Sequence, residues 1–492
     1  MVAGAVLAMS FGLSAEVKFG TPFADGMVLQ RDRAVPVWGT ADKNEKVVVS
    51  FGGATVETVA DADGKWRVDL PAMTASKKGR ELEANGKKVS DVLVGEVWYV
   101  SGQSNAEMPL VGDKPHFSDR QGRLVAAMTR NPFIRYCYAS NYQWSETPKS
   151  AAAYPVAWKP FLPENLGTKP SFSAMGVYFA LELYAALDIP IGLVGSYWGG
   201  TNIDPWTPRC GYAGKDSIKE TANWTLVDHD SWKDENRKGP IHGAQEQPTV
   251  LWNEMVEPWC PMAMRGFIWY QGCTNSGEPE LYCAKMHALY DGWAEKFANP
   301  ALKLYFVQLA PFSRSWFPIQ LAQAKFAAEE KNAGMVTTGD IGNGDDIHPN
   351  EKATIGKRLA ALALARDYGF EGLEAEAPTL KGVLAEEGRL VLRFDHADGW
   401  YVYNPDWDIL RGFEVSGTNG VWHPAILVNS DGGAKVKRVW GTRGIVEGRD
   451  LVLESESVTN PVKVRYLHEK PWVGSLFATS GLPLGPFEAE AE

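Results

Sequence analysis

Val92-Leu-Val-Gly-Glu-Val-Trp-Tyr-Val-Ser-Gly-Gln-Ser-Asn105 is the stretch on which the fold turns. Its first nine residues are almost continuously apolar, the pattern of a strand buried on both faces of a parallel sheet. The run then breaks into Ser101-Gly-Gln-Ser-Asn105. Small polar residues at the end of a buried strand lie at the carboxyl edge of the sheet, where open α/β folds bind their ligands. Ser104 is therefore a candidate nucleophile, although a serine at such a break also serves as a helix N-cap or turn residue.

Outward from this strand, residues 93–372 alternate between strand and helix patterns. Apolar strand patterns fall at 93–100, 133–139, 191–196, 265–270, 303–309 and 335–339. Helical spacing recurs at 171–187, 280–297, 318–331 and 350–367. The alternation predicts a parallel sheet with helices on both faces, a flavodoxin-like α/β domain. Residues 207–250 carry little periodicity and read as an insertion that walls the site.

On either side the pattern is all-β. Residues 16–92 hold short β-branched runs such as Lys46-Val-Val-Val-Ser-Phe51, separated by turns such as Asp61-Ala-Asp-Gly64. Residues 373–487 hold others, such as Gly388-Arg-Leu-Val-Leu-Arg-Phe394. Two β-sandwich-like flanking domains are expected, with 488–492 as a frayed acidic tail. Residues 1–15 form an apolar run ending in small residues, like a secretory leader without its basic start, and point to a periplasmic or secreted protein.

Of 492 residues, 45% are hydrophobic and 22% charged, ordinary for a globular chain. A net charge of -11 argues against nucleic acid as a partner. No stretch approaches a membrane span. Nineteen tryptophans suit a protein that handles sugar rings, and equally suit plain core packing. The five cysteines show no metal-ligand spacing; Cys273 and Cys283 can pair in an oxidising compartment or stay as buried thiols. Neither metal nor organic cofactor is expected, and oligomeric state is not legible.

A hydroxyl becomes a nucleophile when a base reaches it. Of eight histidines, His348 stands out, because Asp345-Asp-Ile-His348 sets a carboxylate three residues ahead of a ring after a core strand. Asp345 is then the group that fixes the imidazole tautomer, with Asp346 and Asp340 as alternatives. Oxyanion donors come from three loops: the Ser104 amide, the glycine amides at Gly199 and Gly200, and the Asn275 side chain. Gln103, Trp198, Asp204 and Gln271 lie in or beside these loops as candidate substrate contacts, and Trp206 and Trp269 as further stacking surface. Other chemistries lack their marks: there is no G-x-S-x-G elbow, no H-E-x-x-H and no dinucleotide fingerprint. Nothing links Glu107, Asp204 and Glu254 into a glycosidase pair.

Gly95-Glu-Val-Trp-Tyr-Val-Ser-Gly-Gln-Ser-Asn-Ala-Glu-Met-Pro109 resembles the nucleophile segment of the sialate O-acetylesterase family, in the SGNH-hydrolase superfamily. Ser196-Tyr-Trp-Gly-Gly-Thr201, Ile268-Trp-Tyr-Gln-Gly-Cys-Thr-Asn275 and Asp346-Ile-His-Pro-Asn-Glu-Lys352 match in the same order, as do Phe23-Ala-Asp-Gly-Met-Val-Leu-Gln-Arg31 and Asn460-Pro-Val-Lys-Val-Arg-Tyr466 in the flanks. The resemblance implies a metal-free serine esterase acting on acetylated sugars, with Ser104 as nucleophile, His348 as base and Asp345 as orienter. It departs from the family pattern at Ala106, Tyr197 and Cys273, where Met, Ser and Glu are usual. These changes bear on the substrate more than on the mechanism.

Overall fold

The computed structural model describes residues 16–139, 142–168, 171–218, 243–314, 316–342, 344–403, 412–428, 436–440, 443–446, 448–468 and 476–492. The leader at 1–15 and most of the expected insertion, 219–242, lie outside the described residues.

The opening stretch belongs to one long strand, β1 (Lys87–Gly102). The central sheet continues with β2 (Asn131–Tyr138), the short β3 (Lys159–Phe161), β4 (Ile191–Tyr197), β5 (Gly266–Tyr270), β6 (Lys303–Val307) and β7 (Ala333–Val336). Their order across the sheet is β3-β2-β4-β1-β5-β6-β7, parallel except for the antiparallel edge strand β3. Counting only the parallel strands in chain order gives 2-3-1-4-5-6. The flavodoxin order is 2-1-3-4-5. The expected layering is thus present, but the third strand inserts beside the first, and the flavodoxin comparison holds for architecture rather than connectivity.

Among the described residues four long helices pack with the sheet, α2 (Ala174–Leu187), α3 (Pro279–Lys296), α4 (Phe317–Glu329) and α5 (Lys352–Asp367), and a one-turn helix α1 (Ser104–Glu107) directly follows β1. Local sequence explains their ends. Ser173 Oγ accepts the Gly176 N–H at the start of α2, and Pro279 occupies the first turn of α3, where no N–H is needed. Helices α2 and α5 approach closely because Gly356 has no Cβ; one placed there would stand 2.5 Å from the Tyr178 Cβ. That contact fixes α5, and with it the loop that carries His348.

The N-terminal β region is not a separate unit. β1 begins among the N-terminal strands, pairing with Val28–Gln30 and Ser76–Ala84, and ends as the centre of the parallel sheet. The expected boundary at residue 92 falls inside this strand. One core runs through both parts, from Val17, Val37 and Val49 to Trp98, Phe267 and Leu359. The C-terminal region differs: its three four-stranded antiparallel sheets enclose their own core around Leu392, Trp400, Val415 and Tyr466. The acidic end is ordered rather than frayed. Phe487–Glu490 pairs with Lys463–Tyr466, because Phe487 and Ala489 pack on that core while the glutamates alternate outward.

All five cysteines are free, with Cys137, Cys273 and Cys283 buried. Among the described residues no helix is long and apolar enough to cross a membrane.

Candidate active site

The site is built where β1, β4 and β5 end. At Gly102 the chain takes φ +134°, and a Cβ there would stand 2.3 Å from the Tyr270 carbonyl oxygen, so glycine alone fits. The chain turns at Gln103 into α1, which places Ser104 at a helix start, where its N–H has no carbonyl one turn earlier to receive it. Gln103 itself is buried, and its Oε1 accepts the Gly272 N–H at 3.1 Å. It ties two site loops together rather than facing a ligand.

His348 Nε2 lies 2.8 Å from Ser104 Oγ, although 244 residues separate them in sequence. The ring is half-buried and rests edge-on against Phe117, with centroids 5.1 Å apart. Burial lowers its pKa below the ordinary histidine value, the nearby Lys352 lowers it further, and Asp346 works in the opposite direction. A neutral imidazole on a serine hydroxyl is the arrangement of a general base. Of the two aspartates before it, Asp345 is exposed. Asp346 stands against the histidine: its Oδ1 accepts the His348 backbone N–H at 2.8 Å and lies 3.8 Å from Nδ1. Both aspartates thus sit on the turn that carries His348, Asp345 at the three-residue spacing and Asp346 folded back on the backbone. Asp340 is engaged elsewhere, in a two-pronged ion pair with Arg358.

The oxyanion candidates divide. Gly199 directs its N–H to Glu107 Oε2 at 2.7 Å, whereas Gly200 follows at φ +79° on the exposed rim. Asn275 is 1% exposed. Its Oδ1 accepts from the Ile203 N–H and from Gln271 Nε2, which turns Nδ2 the other way, and one Nδ2 hydrogen goes to Glu278.

Gln271 and Asp204 are not surface contacts. Gln271 is fully buried and bonds Thr201, Asn275 and Tyr282. Asp204 is paired with Lys285 at 2.9 Å and accepts from Tyr212, while Lys285 also holds Glu278. Together they form the buried frame behind Asn275. The tryptophans divide similarly: Trp206 and Trp269 are core residues in edge contact with each other, and Trp198 is partly exposed beside Tyr142.

Sequence reasoning missed two groups. Glu107 is half-buried beside Ser104 and holds both Gly199 and the Tyr142 hydroxyl. Its signal was Ser104-x-x-Glu107, a capping-box spacing whose carboxylate reaches a neighbouring loop instead. Lys352 is wholly buried beneath the site. A further trio, Cys283, His287 and Glu329, gathers on α3 and α4; Glu329 Oε2 accepts from the thiol and contacts the ring, so the trio is satisfied by its own hydrogen bonds.

A serine hydroxyl on a neutral histidine at the carboxyl edge of a parallel sheet is the pairing on which serine hydrolases work. Comparison with known proteins agrees. The sequence profile of the family described as carbohydrate esterase, sialic acid-specific acetylesterase, matches residues 94–365, more than half of the chain. The chain belongs to this family and is a carboxylic ester hydrolase. It is 29% identical to human (Homo sapiens) sialate O-acetylesterase over 447 residues, covering 80% of each chain, and 28% identical to the mouse (Mus musculus) protein of that name over 454 residues, covering 80% of this chain and 82% of that one. A solved carbohydrate acetylesterase from Xanthomonas citri superposes with a TM-score of 0.79 at 31% identity, over 96% of this chain and 99% of the other.

Proposed function

We propose that this protein is a serine esterase that removes O-acetyl groups from carbohydrate hydroxyls through an acetyl-Ser104 intermediate, with O-acetylated sialic acid as the first substrate class. The observation that carries the reading is the 2.8 Å approach of His348 Nε2 to Ser104 Oγ. His348 takes the hydroxyl proton as Oγ attacks the acetyl carbonyl. The tetrahedral oxyanion is met by the Ser104 and Gly200 amides and the second Asn275 hydrogen. Gly199, whose N–H serves Glu107, drops out of that set. Collapse releases the sugar hydroxyl, protonated by His348, and leaves acetyl-Ser104. Water activated by the same ring then frees acetate. Asp346, 3.8 Å from Nδ1, supports the imidazole from that side, and Asp345 at the three-residue spacing is the other carboxylate available to orient it. Trp198 and Tyr142 offer the aromatic surface for the sugar. The apolar leader supports export to the periplasm or beyond.

A second substrate class is an acetylated plant polysaccharide. The Xanthomonas citri neighbour is named only as a carbohydrate acetylesterase, which fits either class, and Cys273, whose thiol burial pushes up to about 12, puts no charge where the family usually has Glu, which favours an uncharged sugar. Turnover of an aryl acetate by Ser104→Ala at the wild-type rate would sink the esterase reading. Acetate release from O-acetylated sialic acid against acetylated xylo-oligosaccharides then separates the two substrates.

A further inference from the structure

Lys352 is a cation on the first turn of α5, 0% exposed, four residues after His348. Its Nζ donates to Asn105 Oδ1 at 2.6 Å and to the Pro349 carbonyl at 2.7 Å. Asn105 in turn donates to the Ile347 carbonyl at 3.0 Å. The backbone N–H of Lys352 goes to Asp119 Oδ2 at 3.1 Å, and its Nζ lies 5.3 Å from the centre of the Tyr270 ring. A methionine or leucine would fill this volume without the cost of stripping an amine of water. What the amine supplies, and an apolar side chain does not, is a pair of hydrogen bonds to oxygens on two different loops.

We infer that Lys352 is a positioning residue that ties the nucleophile to its base: the Asn105 and Pro349 oxygens it joins are the immediate neighbours of Ser104 and His348. This rests on the esterase reading. The tie closes a short circuit, Ser104–Asn105–Lys352–Pro349–His348, around a 2.8 Å contact between residues 244 positions apart. Burial pushes the amine down to about 7, with Asp119, Cys273 and Asp346 acting against that shift. A neutral amine still carries two N–H bonds, so the tie holds on both sides of that pH. When protonated, Lys352 adds a charge that helps keep His348 below its ordinary value; among the described residues Asp346 acts to raise it and His116 to lower it.

The test is Lys352→Met in the full chain, assayed on an aryl acetate across the acid limb of activity. The expected result is a fall in kcat of about 100-fold from the misplaced pair, with KM little changed. The acid limb of kcat/KM should also move to higher pH, because His348 loses a neighbouring cation. A folded Lys352→Met protein with unaltered kcat, or with lowered kcat and an unmoved limb, overturns the inference. If that variant does not fold, Asn105→Ala removes the nucleophile-side oxygen, and full kcat in this protein overturns it equally. Ser104→Ala, run alongside, separates the two failures: turnover surviving there defeats the esterase reading, whereas turnover lost there but intact in Lys352→Met defeats only the tie.

Discussion

The two sides of the site hold their polar groups in opposite ways. Ser104 and His348 are half-buried and meet each other at 2.8 Å. Asn275, Gln271, Asp204 and Lys285 are buried, and each is bonded to another member of the frame or to the backbone. Reactive groups need an open valence toward substrate, and groups that aim a donor need to be immobile. The difference predicts that changes on the first side cost rate, whereas changes on the second cost stability as well.

Ser104→Ala is the sharpest test. It should lower kcat on the order of 10^6-fold with an unchanged thermal midpoint. Next, Asp346→Asn should lose on the order of 10^4-fold in kcat by failing to hold the imidazole, while Asp345→Asn loses much less. The reverse ranking would assign the orienting role to Asp345. Asn275→Ala should lose about 10^2–10^3-fold in kcat and also melt earlier, because Gln271 and the Ile203 amide lose their acceptor. Asp204→Ala should leave Lys285 buried without one of its two carboxylates, destabilising the protein by about 3–5 kcal/mol in denaturant unfolding, with a smaller effect on the rate of the surviving folded enzyme. The mildest effect is on pH. With His348 depressed, the base stays deprotonated below the ordinary histidine value of about 6.5, so kcat/KM should hold down to that pH and fall only beneath it. An acid limb above the ordinary value would contradict the burial and charge that surround the ring.

The same contrast explains how much was readable from the chain. Strands and helices were legible because apolar periodicity reports burial directly: the six parallel strands and four long helices lie within a few residues of the patterns that announced them. Ser104 and His348 were legible because each sits at an abrupt break after such a pattern. The frame was not. Gln271 and Asp204 looked like ligand contacts because polar residues beside a motif look alike whether they face solvent or each other, and only the fold brings Lys285 and Tyr282 to them. Tryptophan number likewise said nothing of placement: Trp206 and Trp269 are core, and Trp198 is not. The strand order and the N-terminal boundary escaped for a related reason. Periodicity marks where a strand lies, not which neighbour it chooses, and the polar start of β1 at Lys87 concealed that the strand was already under way.

That strand has a consequence for how such a protein can be taken apart. The C-terminal region encloses its own core, yet its Pro483 and Gly485 rest on Thr337 at the carboxyl end of β7, so a trade of that module would have to keep this seam. The N-terminal region has none of that freedom. A cut between residues 92 and 93 would sever the rod whose far end carries the nucleophile, so the serine and the leading β strands must be inherited, engineered and expressed as a single piece.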